Sequence, residues 1–166
     1  MNALYRDIVL DHHRAPRRYG VLEQPTHACD GVNALCGDSL RVELRLHDGR
    51  IAEYGFRGEC CAIATATASL LGERVIGLAP PEIAALQQAF ATLVGVEAAD
   101  ASLVDAEAAS TALVGDVTTD AALGDLAALS ELSRYPARRK CALLPWATLA
   151  AALAGETRTT TEKDSA

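Results

Sequence analysis

Residues 40–46 alternate apolar and polar side chains almost strictly, and this run constrains the fold more than any other feature of the chain. A period of two puts Leu40, Val42, Leu44 and Leu46 on one face and Arg41, Glu43 and Arg45 on the other, the pattern of a half-buried strand. His47-Asp48-Gly49-Arg50 follows, with the Asp-Gly pair favoured in tight hairpins, and residues 51–56 read as the return strand. Residues 21–35 read as loop or irregular extended chain punctuated by Pro25, Gly31 and Asn33, with a further alternating surface expected near residues 26–32. The expected sheet is small, antiparallel and three-stranded.

Helical spacing surrounds this sheet. Residues 2–13 read as an amphipathic helix ended by Pro16 and Gly20. Residues 61–71 are small and helix-compatible. Pro80-Pro81-Glu82 opens another helix, whose buried stripe is Ile83, Leu86, Phe90 and Leu93. Residues 95–116 are alanine-rich, acidic and weakly periodic, and read as a long excursion with partial helix. A short helix is expected over 123–132, stopped at Tyr135-Pro136, and a last one over 136–155. Residues 1–155 are expected to form one domain, and the polar, threonine-rich residues 156–166 a disordered tail. A chain of 166 residues is long enough for one core of adequate size.

Charge narrows the function classes. The net charge of −7 argues against nucleic acid as the main partner, because phosphate binding needs a basic face. The cations cluster at Arg14, Arg17 and Arg18 and again at Arg134, Arg138, Arg139 and Lys140. Such patches suit an acidic partner or a thiolate, though a solvated surface serves equally well for the first group. Charged residues interrupt the N-terminal apolar run, and no stretch is long and apolar enough to span a bilayer, so a cytoplasmic protein without membrane partners is expected. Five cysteines in such a chain point to metal or redox chemistry before disulfides.

Three of these cysteines have distinctive settings. Cys36 precedes Gly37 and Asp38, and glycine lets thiolate and carboxylate face one point. Cys61 stands where Gly58 gives way to a helix, a position that favours thiolate. Cys141 follows Arg138, Arg139 and Lys140. Taken singly, a chance Cys-x-Asp, a buried structural cysteine and a helix-face cysteine explain them better. Together, three thiolates and a carboxylate fill a tetrahedral shell for a borderline-soft cation such as zinc, and the same thiols are suited to carry sulfur or hold an iron–sulfur cluster. The adjacent His12 and His13 diverge by about 100° around a helix and read as surface or partner-contact residues. Trp146 reads as a packing residue, in the core or partly exposed.

At these positions the chain resembles the U-type iron–sulfur cluster scaffold family, and within it the SufU-type sulfur-transfer branch. The likeness spans residues 3–153. It is carried by Leu4-Tyr5-Arg6-Asp7-Ile8-Val9-Leu10-Asp11-His12, Pro16-Arg17, Gly20-Val21-Leu22, residues 33–38 and 58–69, Leu123-Gly124-Asp125-Leu126, Pro136-Ala137-Arg138 and Lys140-Cys141-Ala142-Leu143. The resemblance implies an α+β fold, a small antiparallel sheet with about five or six helices and the cysteines at one exposed end. It implies Cys36, Asp38, Cys61 and Cys141 as zinc ligands, Cys36 as acceptor of sulfane sulfur, and Arg138 as an arginine near the metal. The implied partners are a cysteine desulfurase of the SufS type and downstream iron–sulfur assembly components. The implied role is a sulfur carrier in iron–sulfur cluster biogenesis that activates the desulfurase and is not an independent turnover enzyme.

The resemblance also has an alternative side, a scaffold on which iron or a [2Fe–2S] cluster is held by the same ligands. Scaffold members usually carry histidine where this chain has Lys140. The segment between the second and third cysteines is also of the longer, SufU kind, and both features favour the carrier. The family usually has proline in place of Ala34 and glycine in place of Cys60, while Cys29 has no counterpart and reads as a bystander. A zinc hydrolase would need an open coordination position, which four protein ligands close. A structural zinc module would usually show Cys-x-x-Cys knuckles, which are absent.

Overall fold

The computed structural model describes residues 2–96 and 122–161. Strand β1 (His27–Asn33), β2 (Asp38–His47) and β3 (Arg50–Glu59) form an antiparallel meander, as the alternation predicts. Asp48 and Gly49 both adopt positive φ, +53° and +75°, so the β2–β3 turn has the twist that tight hairpins require. The register places Val42 opposite Phe56 and Leu44 opposite Tyr54, and these side chains are buried on one face.

The sheet has a fourth strand. β4 (Arg158–Thr160) pairs in parallel with β1, giving the order β3-β2-β1-β4, so the sheet is mixed and not a three-stranded antiparallel one. These three residues belong to the stretch expected as a disordered tail. Backbone bonds from Asp30 to Thr157 and from Thr161 to Val32 anchor them, and Thr161 is buried. A three-residue strand is too short to leave a periodic trace, and its partner lies far away in sequence.

The helices are α1 (Ala3–Arg14), α2 (Ala62–Val75), α3 (Pro80–Leu93) and α4 (Pro136–Leu153), with a 3-10 helix over Gly124–Arg134 where a short helix is expected. Asn2 caps α1 through a bond to the Leu4 N–H at 2.9 Å. The Glu82 carboxylate reaches back to the Ala79 N–H at 2.7 Å at the start of α3. The region expected as a partly helical excursion, 95–116, lies almost wholly outside the described residues.

Helix α4 lies across the inner face of β1 and β2. Gly31 permits this contact. A Cβ there would sit 1.9 Å from Thr148 Oγ1 and 3.2 Å from the Leu144 side chain, so only glycine lets strand and helix approach so closely. Trp146 is fully buried against Phe90 of α3 with ring centroids 5.4 Å apart. His12 departs from the expected surface position. It is 7% exposed, and its Nδ1 lies 2.7 Å from Ser69 Oγ, which also accepts the Arg17 N–H at 2.7 Å. Helices α1 and α2 pack together here, and the His12 side of α1 faces that contact. His13 stays exposed.

Candidate metal centre

Three segments from distant parts of the chain meet at one end of the sheet. The loop 34–37 joins β1 to β2 and presents Cys36 at its exposed tip, with Gly37 at φ +70°. Asp38 opens β2, and Cys141 stands in α4 behind them. The Cys36 and Cys141 sulfurs are 3.2 Å apart, and the ligand atoms of Cys36, Asp38 and Cys141 all lie within 4.8 Å of one another. Asp38 and Cys141 are only 2% and 3% exposed, whereas Cys36 is open to solvent.

Cys61, the fourth expected ligand, stands beside Cys141 at the start of α2 but outside the set of ligand atoms that all lie within 4.8 Å of one another. It is the N-cap residue, and its sulfur accepts the Ala64 N–H at 3.4 Å. Its own N–H donates to Asp38 Oδ1 at 2.7 Å. The carboxylate is thereby tied to the helix that carries the second thiol, and its other oxygen, Oδ2, is buried with no partner. A buried carboxylate oxygen left unpaired is costly unless a donor or cation meets it. The Cys141 thiol hydrogen-bonds Cys61, and this, with the helix N–H, draws the Cys61 thiol down to about 7 against the opposing effect of burial. The same bond and burial push the Cys141 thiol upward.

Cys60 points elsewhere. Its sulfur donates to the Ser39 carbonyl at 3.3 Å, and burial, with Asp38 and Cys61 nearby, pushes its thiol up to about 12. In metal-free protein, iodoacetamide is expected to label Cys61 from about pH 7, while Cys60 stays unlabelled to well above pH 9. Peptide mapping after alkylation at pH 7 and pH 9 checks this, and equal labelling of both at pH 7 would contradict the assignment. Cys29 is fully buried in the core, its thiol raised to about 11 by burial.

The basic run before Cys141 divides. Arg139 is structural, donating to the carbonyls of Gly95, Ser133 and Leu132 and tying α3 and the 3-10 helix to α4. Arg138 is exposed in the first turn of α4, one helical turn before Cys141 and close enough to Tyr5 to act on its phenol. Tyr5 is a member of this neighbourhood that sequence reasoning missed. It is buried, and Cys61, Tyr135 and Glu131 also act on it electrostatically. Its place in the apolar stripe of α1 is the only local sign of it. In the other basic group, Arg17 pairs with Asp11 at 2.6 Å and Arg18 with Glu73 at 3.6 Å.

Comparison with known proteins gives consistent results. A family model described as the NifU-like N-terminal domain matches residues 4–115. The chain is 30% identical over 156 residues to the zinc-dependent sulfurtransferase SufU of Bacillus subtilis, covering 94% of this chain and 93% of that protein. It is 31% identical over 150 residues to the iron–sulfur cluster assembly scaffold protein IscU of Thermotoga maritima, covering 90% and 92%. A crystal structure from Fervidobacterium islandicum, described as an iron–sulfur cluster assembly scaffold of the SUF system, superposes with a TM-score of 0.70 at 26% identity, covering 90% of this chain and 96% of that one. Among the described residues no helix is long and apolar enough to cross a membrane.

Proposed function

The chain belongs to the family of NifU-like N-terminal domains, and on that footing we propose that it is a zinc-holding sulfur acceptor that takes persulfide sulfur from a cysteine desulfurase for iron–sulfur cluster biogenesis. The observation that carries this reading is the meeting of the Cys36 and Cys141 sulfurs with a buried, unpartnered Asp38 oxygen, with Cys61 bonded to Cys141 beside them. Three sulfurs and one carboxylate oxygen suit zinc. Cys36, Asp38, Cys61 and Cys141 would hold it, and bound zinc would keep the thiols deprotonated and draw the three segments together.

The transfer itself is thiol exchange at a persulfide. The Cys36 thiolate attacks the outer sulfur of the desulfurase Cys–S–SH. A new S–S bond forms to Cys36, the old one breaks, and the desulfurase cysteine leaves as a thiolate. No electrons are gained or lost overall. Cys36 suits this part because it sits on an exposed hairpin loop, whereas Cys61 and Cys141 are held on helices. Arg138, exposed one turn from Cys141, is positioned to attract the anionic persulfide. Asp38 is the hard member of a soft set and the ligand most readily exchanged when the partner engages.

The scaffold role has its own support, since relatives of the same identity are described as cluster assembly scaffolds. Metal analysis of protein purified with and without oxygen separates the two. The carrier predicts about one zinc per chain and no colour in either preparation. Labile iron with acid-labile sulfide and visible absorbance in the anaerobic preparation would overturn the carrier in favour of the scaffold.

A further inference from the structure

Sulfur carried by Cys36 has a second exit. Cys141 Sγ lies 3.2 Å from Cys36 Sγ, inside the range of about 3–3.5 Å at which reacting atoms are poised for attack. A disulfide bond is about 2.05 Å long, so joining the two sulfurs takes an approach of roughly 1 Å. Cys141 is seated within α4, whereas Cys36 belongs to the loop between β1 and β2, and the loop is the side that can supply this movement.

Burial sets the direction of attack. Cys36 is exposed and Cys141 is buried, so a persulfide donor meets Cys36 from solvent while Cys141 meets it from the protein side. An outer sulfur added to Cys36 from solvent therefore stands opposite Cys141, the in-line arrangement that exchange at the inner sulfur requires. The other thiols do not compete for that place. Cys61 bonds Cys141 and lies outside the group of ligand atoms that contains Cys36. Cys60 is turned to the Ser39 carbonyl, and Cys29 is enclosed in the core.

We propose that Cys141 discharges a persulfide on Cys36, releasing its outer sulfur as hydrogen sulfide and closing a Cys36–Cys141 disulfide, an inference that rests on the acceptor role proposed above. The Cys141 sulfur attacks the inner sulfur of Cys36–S–SH. The bond between Cys36 and the outer sulfur breaks, and the Cys141 proton leaves with that sulfur as hydrogen sulfide. The outer sulfur gains two electrons, and the two cysteine sulfurs lose them. The step is open when Cys141 is not engaged by the metal ion, because a sulfur that gives its lone pair to a cation is a weaker nucleophile. Holding Cys141 in the shell keeps the sulfur for delivery, and releasing it sends the sulfur out as sulfide. The disulfide left behind must then be reduced by a dithiol, which supplies two electrons and two protons, before Cys36 accepts again.

The test starts from the zinc-loaded full chain, persulfidated by a cysteine desulfurase with cysteine and then separated from both. Its mass should stand about 32 Da above that of the reduced chain and stay there. A zinc chelator is then added with no thiol present. The mass should fall to about 2 Da below that of the reduced chain, with hydrogen sulfide released in equal amount and Cys36 joined to Cys141 in the digested peptides. The rate should not change with protein concentration, because both sulfurs belong to one chain. Cys141→Ser, treated alike, should discharge at least about tenfold more slowly. A Cys36–Cys61 linkage, discharge that rises with protein concentration, or equal discharge before and after chelation overturns the proposal. If Cys141→Ser does not fold or takes up no sulfur, the linkage and the concentration dependence in the parent decide alone. If the zinc-loaded parent never gains sulfur on Cys36, the acceptor reading falls and the discharge with it. If it gains the sulfur and keeps it after chelation, only the discharge falls.

Discussion

Cys36→Ala is expected to return a stimulated cysteine desulfurase to its basal rate. The thiol it removes is the exposed one of the three, on a hairpin loop that ends at Asp38 and is not locked into a helix. Persulfide exchange needs an attacking sulfur that reaches the partner's outer sulfur in line; Cys141 is buried and Cys61 is half-buried at the start of a helix, whereas Cys36 is exposed. Alanine release from cysteine, with and without this protein, measures the effect. Mass spectrometry of the parent after reaction should show a gain of about 32 Da, one sulfur atom, on the Cys36 peptide, the product that this exchange leaves. Stimulation by Cys36→Ala equal to that of the parent would remove the acceptor role from Cys36.

Metal removal should produce the second large effect. A ligand present at about a thousand times its Kd stabilises a fold by about 4 kcal/mol. In a domain of this size each kcal/mol moves the melting temperature by roughly 2–4 °C, so chelation should lower it by roughly 8–16 °C. Cys61→Ser isolates that contribution. Serine is a good N-cap and retains the bond to the Ala64 N–H, so the metal-free variant should melt close to the metal-free parent. Its zinc content and its zinc-dependent rise in melting temperature should both be lost. Cys141→Ser should lose both as well, with a further loss in the metal-free state. There a hydroxyl replaces a buried thiol in the core, where Cys141 is 3% exposed. A Cys61→Ser variant that retains zinc and the full rise would show that the sulfur of Cys61 is not a ligand.

Much of this architecture is legible locally. The strict alternation of 40–46 and the Asp48-Gly49 turn yield β2, β3 and their register, because side-chain period and turn twist act within one hairpin. Pro80, Pro81 and Glu82 mark the start of α3 for an equally local reason. The settings of Cys36, Cys61 and Cys141 are visible too, since each depends on its immediate neighbours. Harder to see are contacts whose meaning lies in a distant partner. His12 reads as surface from its own helix, and only Ser69 of α2 makes it an interior residue. Cys60 and Cys61 look interchangeable in sequence. At the entry to α2 the extended backbone directs one sulfur toward Cys141 and the other toward the Ser39 carbonyl.

The hairpin, the helix starts, the family likeness and the set of thiols available to a soft cation all follow from short-range spacing and residue type. Packing between distant segments makes Asp38 lend one oxygen to the Cys61 N–H and leave the other unpartnered, and brings Cys36 and Cys141, 105 residues apart, to 3.2 Å. It also sets residues 158–160 beside β1 as a fourth strand. Such pairings arise when strands and helices far apart in the chain bury a shared face, and the free energy that selects them belongs to the packed core, not to any one segment.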